Sequence, residues 1–135
     1  MITRKQIVDE ARTWIGTPFQ HQARVKGRGV DCIGVVQQVA QALSITKYDR
    51  SDYGREPANG ELQKALNEHL IKIDTLENGC ILLMKFINEP QHVAIYTDKN
   101  TIIHAYANVG KCVEHRLDPK WERRIYSMYK YIGVE

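Results

Sequence analysis

The chain has 135 residues, of which 26% are charged and 43% hydrophobic, and its formal net charge is +3 at pH 7. This composition excludes a membrane-spanning helix, which needs roughly 18 consecutive apolar residues, and three cysteines argue against a disulfide framework. We expect one domain over residues 1–135, and the mild positive charge permits an anionic polymer as partner but predicts no nucleic acid.

The N-terminus lacks the apolar core of a signal peptide, so we expect any export to follow another route. Thr3-Arg-Lys-Gln6 then has the form of a capping box. Apolar residues at helical spacing follow it, which predicts a helix that ends at Gly16 and keeps Trp14 in the core.

A second helix is predicted from Cys32 to Leu43, again from apolar residues at helical spacing. The first turn of a helix carries unpaired N–H groups and about half a positive charge, which would stabilise the thiolate of Cys32 as a nucleophile. The same N–H groups could hold the oxyanion of a tetrahedral intermediate. The alternative is that Cys32 is a buried cysteine acting as a small hydrophobic residue. Asp31 is expected to cap the helix, in preference to a catalytic role.

The loop over residues 17–31 precedes this cysteine and is rich in glycine, glutamine and basic residues. Gln20, His21 and Gln22 are polar side chains close in sequence to Cys32, and one of them could donate a hydrogen bond to an oxyanion. The alternative is that all three are solvated loop residues.

The second half of the chain changes from helical to strand periodicity. Residues 44–60 are expected to be irregular, and a further amphipathic helix begins at Asn59 or Gly60. Strands are then predicted at residues 80–86, 92–96, 101–105 and 112–116, with a last strand after Pro119 that ends near Tyr131. Helices followed by antiparallel strands favour an α+β fold.

The hairpin between the second and third of these strands places two histidines together. If Tyr96 pairs with Asn100 across a three-residue loop, His92 lies directly opposite His104 on one face of the sheet. One imidazole can then act as a base toward Cys32 while the other orients it.

Two other interpretations of these histidines stay open. In the first, each imidazole is only hydrogen-bonded within its own sheet. Alternatively, Cys32, His92 and His104 have the ligand types of a zinc site. Cys112 and His115 form another potential ligand pair.

Four motifs resemble those of the NlpC-type cell-wall peptidases, most closely their phage-tail branch. Gly16-Thr-Pro-Phe19 is similar to the family's G-T-P-Y, and Asp31-Cys-Ile-Gly34 is similar to its D-C-S-G. His92-Val-Ala-Ile-Tyr96 is similar to H-V-G-I-Y, and Ile102-Ile-His-Ala105 is similar to F-I-H-A. Their order and spacing also fit, from about residue 5 to residue 130.

The resemblance implies a papain-like α+β fold, in which N-terminal helices pack on an antiparallel sheet and the nucleophile begins a helix. It implies that Cys32 is the nucleophile, His92 the general base and then acid, and His104 the orienting residue. The implied reaction is hydrolysis of the D-γ-glutamyl–diamino acid amide in peptidoglycan stem peptides through an acyl-enzyme, without a metal or organic cofactor. The resemblance to the phage-tail branch also implies a protein that is made in the bacterial cytoplasm, carried with phage tail proteins and active at the cell wall.

Three departures from the family pattern bear on substrate choice. Phe19 lacks the hydroxyl of the usual tyrosine, Ile33 replaces a serine and would make the substrate pocket more apolar, and Gln22-Ala23 replaces a frequent glycine pair. Two alternative functions stay open: a tail-assembly or wall-binding module with little chemistry, and a papain-like amidase or acyltransferase.

Overall fold

The computed structural model describes residues 2–45, 60–86 and 89–134. Its helices are α1 (Arg4–Arg12), α2 (Cys32–Ala42), α3 (Glu61–His69) and the short α4 (Pro119–Glu122). Its strands are β1 (Arg24–Val25), β2 (Gly29–Val30), β3 (Ile71–Ile73), β4 (Ile81–Phe86), β5 (Glu89–Thr97), β6 (Thr101–Tyr106), β7 (Lys111–Arg116) and β8 (Ile125–Lys130). Most of the expected irregular stretch, residues 46–59, lies outside the described residues.

The predicted helix starts are confirmed. Thr3 and Gln6 form the reciprocal capping box of α1, and Asp31 caps α2. The prediction that the first helix reaches Gly16 is wrong, because α1 ends at Arg12. The backbone then turns toward β7, where the Gly16 N–H donates to the Cys112 carbonyl at 2.8 Å. The loop over 17–31 also contains a feature that was not expected, the β1–β2 hairpin.

Six strands form one antiparallel sheet in the order β3-β8-β4-β5-β6-β7. Helices and an antiparallel sheet together confirm the α+β class. The sequence missed α4, which lies between Pro119 and the last strand. Within the described ranges, no helix has the length and apolar character needed to cross a bilayer.

The two faces of the sheet bury separate apolar clusters. One cluster joins α1, α2 and α3 to alternate strand residues such as Leu83, Ile95 and Ala105. The other lies on the opposite face, around Met84 and Ile102, with residues of the α4 region against it. A residue's parity along its strand therefore decides which cluster it joins.

The predicted register of the β5–β6 hairpin is wrong by two residues. The observed pairs are Ile95–Ile103, Tyr96–Ile102 and Thr97–Thr101, so the loop begins one residue later than expected. The later start of the loop has a physical cause. The hydroxyls of Thr97 and Thr101, whose oxygens lie 2.6 Å apart, bond each other and close the hairpin. A shift of two residues leaves every side chain on its face. His92 and His104 therefore still lie on the same face of the sheet, as predicted.

Candidate active site

Cys32 is half-buried at the first position of α2, where the helix end meets β5. The sulfur receives hydrogen bonds from the backbone N–H groups of Val93, Ile33 and Cys32 itself. These contacts favour the thiolate, as the sequence predicts. Burial and the negative charge of Asp31 outweigh them and raise the pKa of the Cys32 thiol to about 12. The expected stabilisation of the thiolate is thus wrong, because this pKa makes Cys32 a neutral thiol at pH 7.

Asp31 organises the turn in front of the cysteine. Its Oδ1 atom accepts from the Gly34 N–H at 2.8 Å and from Arg24 Nη1 at 3.1 Å. Its Oδ2 atom accepts from the Gln22 N–H at 2.8 Å. His21 Nδ1 lies 3.9 Å from the same oxygen. The carboxylate is buried among these donors, which agrees with the predicted capping role.

The strands β5 and β6 separate near Cys32. Among the described residues, their cross-strand pairs end at Ile95–Ile103, and beyond that point the Val93 N–H bonds the Cys32 sulfur. The β4–β5 register also shifts between Met84 and Lys85, opposite this part of β5. Such irregularities next to a site redirect side chains. Cys32 thus meets β5 beside His92, at an opening between two strands.

His92 and His104 form a buried, directly bonded pair. His92 Nε2 lies 2.6 Å from His104 Nδ1, and the two residues are 5% and 1% exposed. Burial, with the positive charge of Arg124 next, lowers the pKa of His92 to about 3. Burial, with the neighbouring His92 next, lowers the pKa of His104 to about 2. Both imidazoles are therefore neutral at pH 7.

A third histidine continues this line of rings away from the cleft. His115 Nε2 lies 2.8 Å from His104 Nε2, and His115 Nδ1 lies 3.0 Å from the backbone carbonyl of Arg116. The sequence singled out His115 only as a possible metal ligand beside Cys112. That pairing is wrong, because the two residues are three apart in β7 and lie on opposite faces. Cys112 belongs to the helix-side cluster.

Aromatic rings surround the histidines. Phe86 stacks on His92 with 5.2 Å between ring centroids, and Tyr106 stacks on His104 at 5.5 Å. Trp121, from α4, contacts His104 edge to face at 5.0 Å. This apolar cage excludes water from the pair, which is why burial is the largest cause of both lowered pKa values.

A cleft of about 440 Å³ joins the thiol to the histidine pair. Its lining includes Phe19, Cys32 and Ala105 from the helix side, and His92 and Tyr106 from the histidine side. Further lining residues are Phe86, Gln91, Ala107, Asn108 and Arg124. Three residues that the sequence singled out, Phe19, Cys32 and His92, thus line one cleft. His104 lies directly behind His92.

The polar cleft residues Gln91, Tyr106, Asn108 and Arg124 were missed. Tyr106 could have been found, because it continues the alternation from His104 along β6. Arg124 follows the unexpected helix α4, so the sequence pattern offered no signal for it.

Other candidates lie outside the described lining of this cleft. Gln20 packs over Gly29, where an added Cβ would meet Gln20 Oε1 at 2.7 Å. His21 and Gln22 are placed by Asp31, as described above. Ile33 lines a separate groove of about 230 Å³ between α2 and α3, so its effect on the substrate pocket stays a prediction. It points there because it follows Cys32 by one position, about 100° around the helix.

The sequence also leaves open a zinc site at Cys32, His92 and His104. Within the described residues, no group of three or more histidine, cysteine or acidic side chains is arranged to hold a metal ion. All three cysteines are free thiols. Both ring nitrogens of His104 are already engaged by His92 and His115.

The model of the NlpC/P60 family matches residues 16–129, a range that contains the cleft and all three bonded histidines. The chain belongs to the NlpC/P60 family. Among curated proteins it is similar to Murein DD-endopeptidase MepS/Murein LD-carboxypeptidase of Escherichia coli. The two are 25% identical over 121 residues, which cover 90% of this chain and 59% of that relative. The chain therefore spans about three fifths of this relative's length.

Solved structures confirm the papain-like NlpC/P60 fold. An NlpC/P60 family protein from Bacillus cereus has a TM-score of 0.73 at 17% identity, covering 96% of this chain and 40% of its own. RipD from Mycobacterium tuberculosis, described as a non-catalytic NlpC/p60 domain protein adapted to peptidoglycan binding, has a TM-score of 0.62 at 12% identity. That match covers 96% of each chain. At these identities the likeness concerns the fold alone.

Proposed function

We propose that this protein is a cysteine peptidase that cuts the D-γ-glutamyl–diamino acid amide of peptidoglycan stem peptides. The observation that carries the proposal is the cleft in which Cys32 lies beside the bonded pair His92–His104. Membership of a family of peptidoglycan hydrolases supports it, as does the similarity to a murein endopeptidase.

The proposed reaction begins from neutral groups. Burial keeps Cys32 protonated and His92 unprotonated, so the thiol proton moves to His92 as the sulfur attacks the amide carbonyl. The N–H groups at the start of α2, which bond the sulfur, would stabilise the developing oxyanion. No preformed ion pair is required.

The second half of the reaction returns both groups to their starting state. The imidazolium of His92 gives its proton to the leaving amine as the C–N bond breaks, which leaves a thioester on Cys32. Water then attacks the thioester with His92 as base, and the thiol is released with a free carboxylate. His104, whose Nδ1 atom lies 2.6 Å from His92 Nε2, orients the ring throughout.

A wall-binding or tail-assembly module is the second candidate. It is favoured by the raised pKa of Cys32 and by the example of RipD, which shares the fold and is described as non-catalytic. An association with phage-tail proteins is part of our proposal for either function. It is supported only by the motif resemblance, and detection of the protein in purified tail particles would test it.

Digestion of defined stem peptides tests the proposed reaction. A tripeptide or tetrapeptide stem and a D,D-cross-linked dimer would each be incubated with the protein, and the fragments identified by mass spectrometry. We expect cleavage after the γ-linked D-glutamate in the single stems. If only the D,D-cross-link were cut, the cross-link would take the place of the D-γ-glutamyl amide as the bond that this protein hydrolyses. Binding of peptidoglycan without cleavage of any stem would favour the module.

A further inference from the structure

The backbone carbonyl of Arg116 ends a row of three bonded histidines, His115, His104 and His92. It determines which ring nitrogen of each histidine carries the proton. A carbonyl oxygen only accepts hydrogen bonds, so His115 Nδ1, 3.0 Å away, must carry a proton. In a neutral His115 the other nitrogen, Nε2, is then unprotonated and can only accept.

The same reasoning passes along the row. With His115 in this neutral form, His104 Nε2, 2.8 Å from His115 Nε2, donates to it. The neutral His104 then has an unprotonated Nδ1, to which His92 Nε2 donates across 2.6 Å. The proton of neutral His92 is thereby held on Nε2, and its Nδ1 is unprotonated.

We propose that His115 is a positioning residue that, through His104, holds His92 in the tautomer whose Nδ1 atom is the base for Cys32. This inference rests on the proposed role of His92. It extends the site to a residue outside the described lining of the cleft, and it makes the backbone carbonyl of Arg116 the fixed end of the row.

Packing supports this role. Trp121 contacts the His115 ring at 5.2 Å and the His104 ring at 5.0 Å, which limits rotation of both. His104 is almost fully buried, so the loss of His115 would remove the described acceptor of its Nε2–H group. The opposite tautomer of His104 would then become accessible, with a proton on Nδ1.

Three substitutions at His115 separate positioning from simple packing. His115→Gln offers an amide oxygen as a replacement acceptor. His115→Ala removes the acceptor. His115→Lys supplies only donors, which requires His104 Nε2 to accept and reverses every bond in the row. The proton of His92 would then move to Nδ1 and block the base.

We expect kcat for stem-peptide cleavage to fall in the order wild type, Gln, Ala, Lys, while KM stays the same. The loss should be about tenfold for His115→Ala, the scale of an outer-shell partner, and about a hundredfold or more for His115→Lys, since a wrong tautomer costs up to about 10⁴. His69→Ala, an exposed histidine at the end of α3, is the matched control. Equal losses for Gln, Ala and Lys would overturn the proposal.

The decisive readout does not depend on activity. In protein labelled with ¹⁵N-histidine, the nitrogen shifts of each ring report which atom is protonated. We expect His92 protonated on Nε2 in the wild type and on Nδ1 in His115→Lys. A wild-type His92 protonated on Nδ1 would overturn the inference even if the protein cleaves peptides. If both tautomers were as expected but the protein cleaved no stem peptide, the proposed function would be wrong. The control of the His92 tautomer by His115 would still be established.

Discussion

The guanidinium of Arg124 lies 4.4 Å from the ring centroid of Trp121, and at 4.9 Å it also covers Phe86. Stacking on two aromatic faces holds the cation at the cleft, close to His92. Its charge is the second cause, after burial, of the lowered pKa of His92. A residue after a four-residue helix thus tunes the proposed catalytic base.

Substitution of this arginine should change the pH dependence of cleavage. Arg124→Gln removes a charge that opposes protonation of His92, so the pKa of His92 rises from its value of about 3. A base must be unprotonated, and the acid limb of the kcat/KM profile should therefore move to higher pH, by up to about one unit. The exposed neighbour Arg123 provides the control Arg123→Gln. If the acid limb of the kcat/KM profile did not move in Arg124→Gln, the charge of Arg124 would have no effect on the pKa of His92.

His104 should matter as an acceptor for the base. His104→Ala leaves His92 Nε2–H unpaired and the ring free to turn, so kcat should fall about a hundredfold with little change in KM. His104→Gln can still accept a hydrogen bond and should lose less. Steady-state kinetics with one stem peptide would check both variants, once their thermal unfolding shows that they are folded. Equal activity of His104→Ala and the wild type would remove His104 from the site.

Most of the site's framework could be predicted from the sequence because it follows from local periodicity. The apolar spacing after Cys32 predicts α2 with the thiol at its start, and it begins there. The shared face of His92 and His104 depends only on parity along the strands, which is why it survived an error of two residues in the register.

The rest of the site depends on contacts between distant segments. Trp121 closes the histidine cage from α4, which is too short to show a helical period. His115 reaches His104 through the β6–β7 register, in which it pairs with Ile102. The raised pKa of Cys32 follows from burial, which depends on packing that helix periodicity does not predict.

The buried histidine pair should make the protein sensitive to mild acid. His92 and His104 have pKa values near 3 and 2 in the fold, against 6.5 ordinarily. Between these values the unfolded chain binds protons that the folded chain cannot, so stability is lost as the pH falls below about 6.5. The slope should approach 1.4 kcal/mol per pH unit for each histidine.

Urea unfolding at pH 7, 6 and 5 would measure this slope. His104→Gln should roughly halve it, because one of the two histidines is removed. Met84→Leu alters the apolar cluster on the same face of the sheet as His104 without changing a titratable group and should keep the wild-type slope. A free energy of unfolding that does not change between pH 7 and 5 would contradict the neutral, buried pair.

Gly34 should be intolerant of a side chain. A Cβ atom there would lie 2.9 Å from both the Ala23 carbonyl oxygen and Arg24 Nη1, and 2.8 Å from Val30 Cγ2. Gly34→Ala should therefore cost about 1–3 kcal/mol of unfolding free energy, the usual cost of overpacking. Gly29→Ala should cost less, because its closest contact is the flexible end of Gln20. Chemical denaturation would compare them, and a smaller loss at Gly34 than at Gly29 would be inconsistent with this packing.

The central claim is that the sulfur of Cys32 is the nucleophile, and the most direct measurement compares cysteine variants on one stem peptide. We expect Cys32→Ala to lose cleavage by at least about 10³-fold, the scale for removal of a nucleophile. Cys112→Ala, which changes a buried thiol in the helix-side cluster, should stay active. Acid-quenched wild-type protein should carry the acyl fragment as a thioester on Cys32. Cleavage by Cys32→Ala at a rate near that of the wild type would contradict the account.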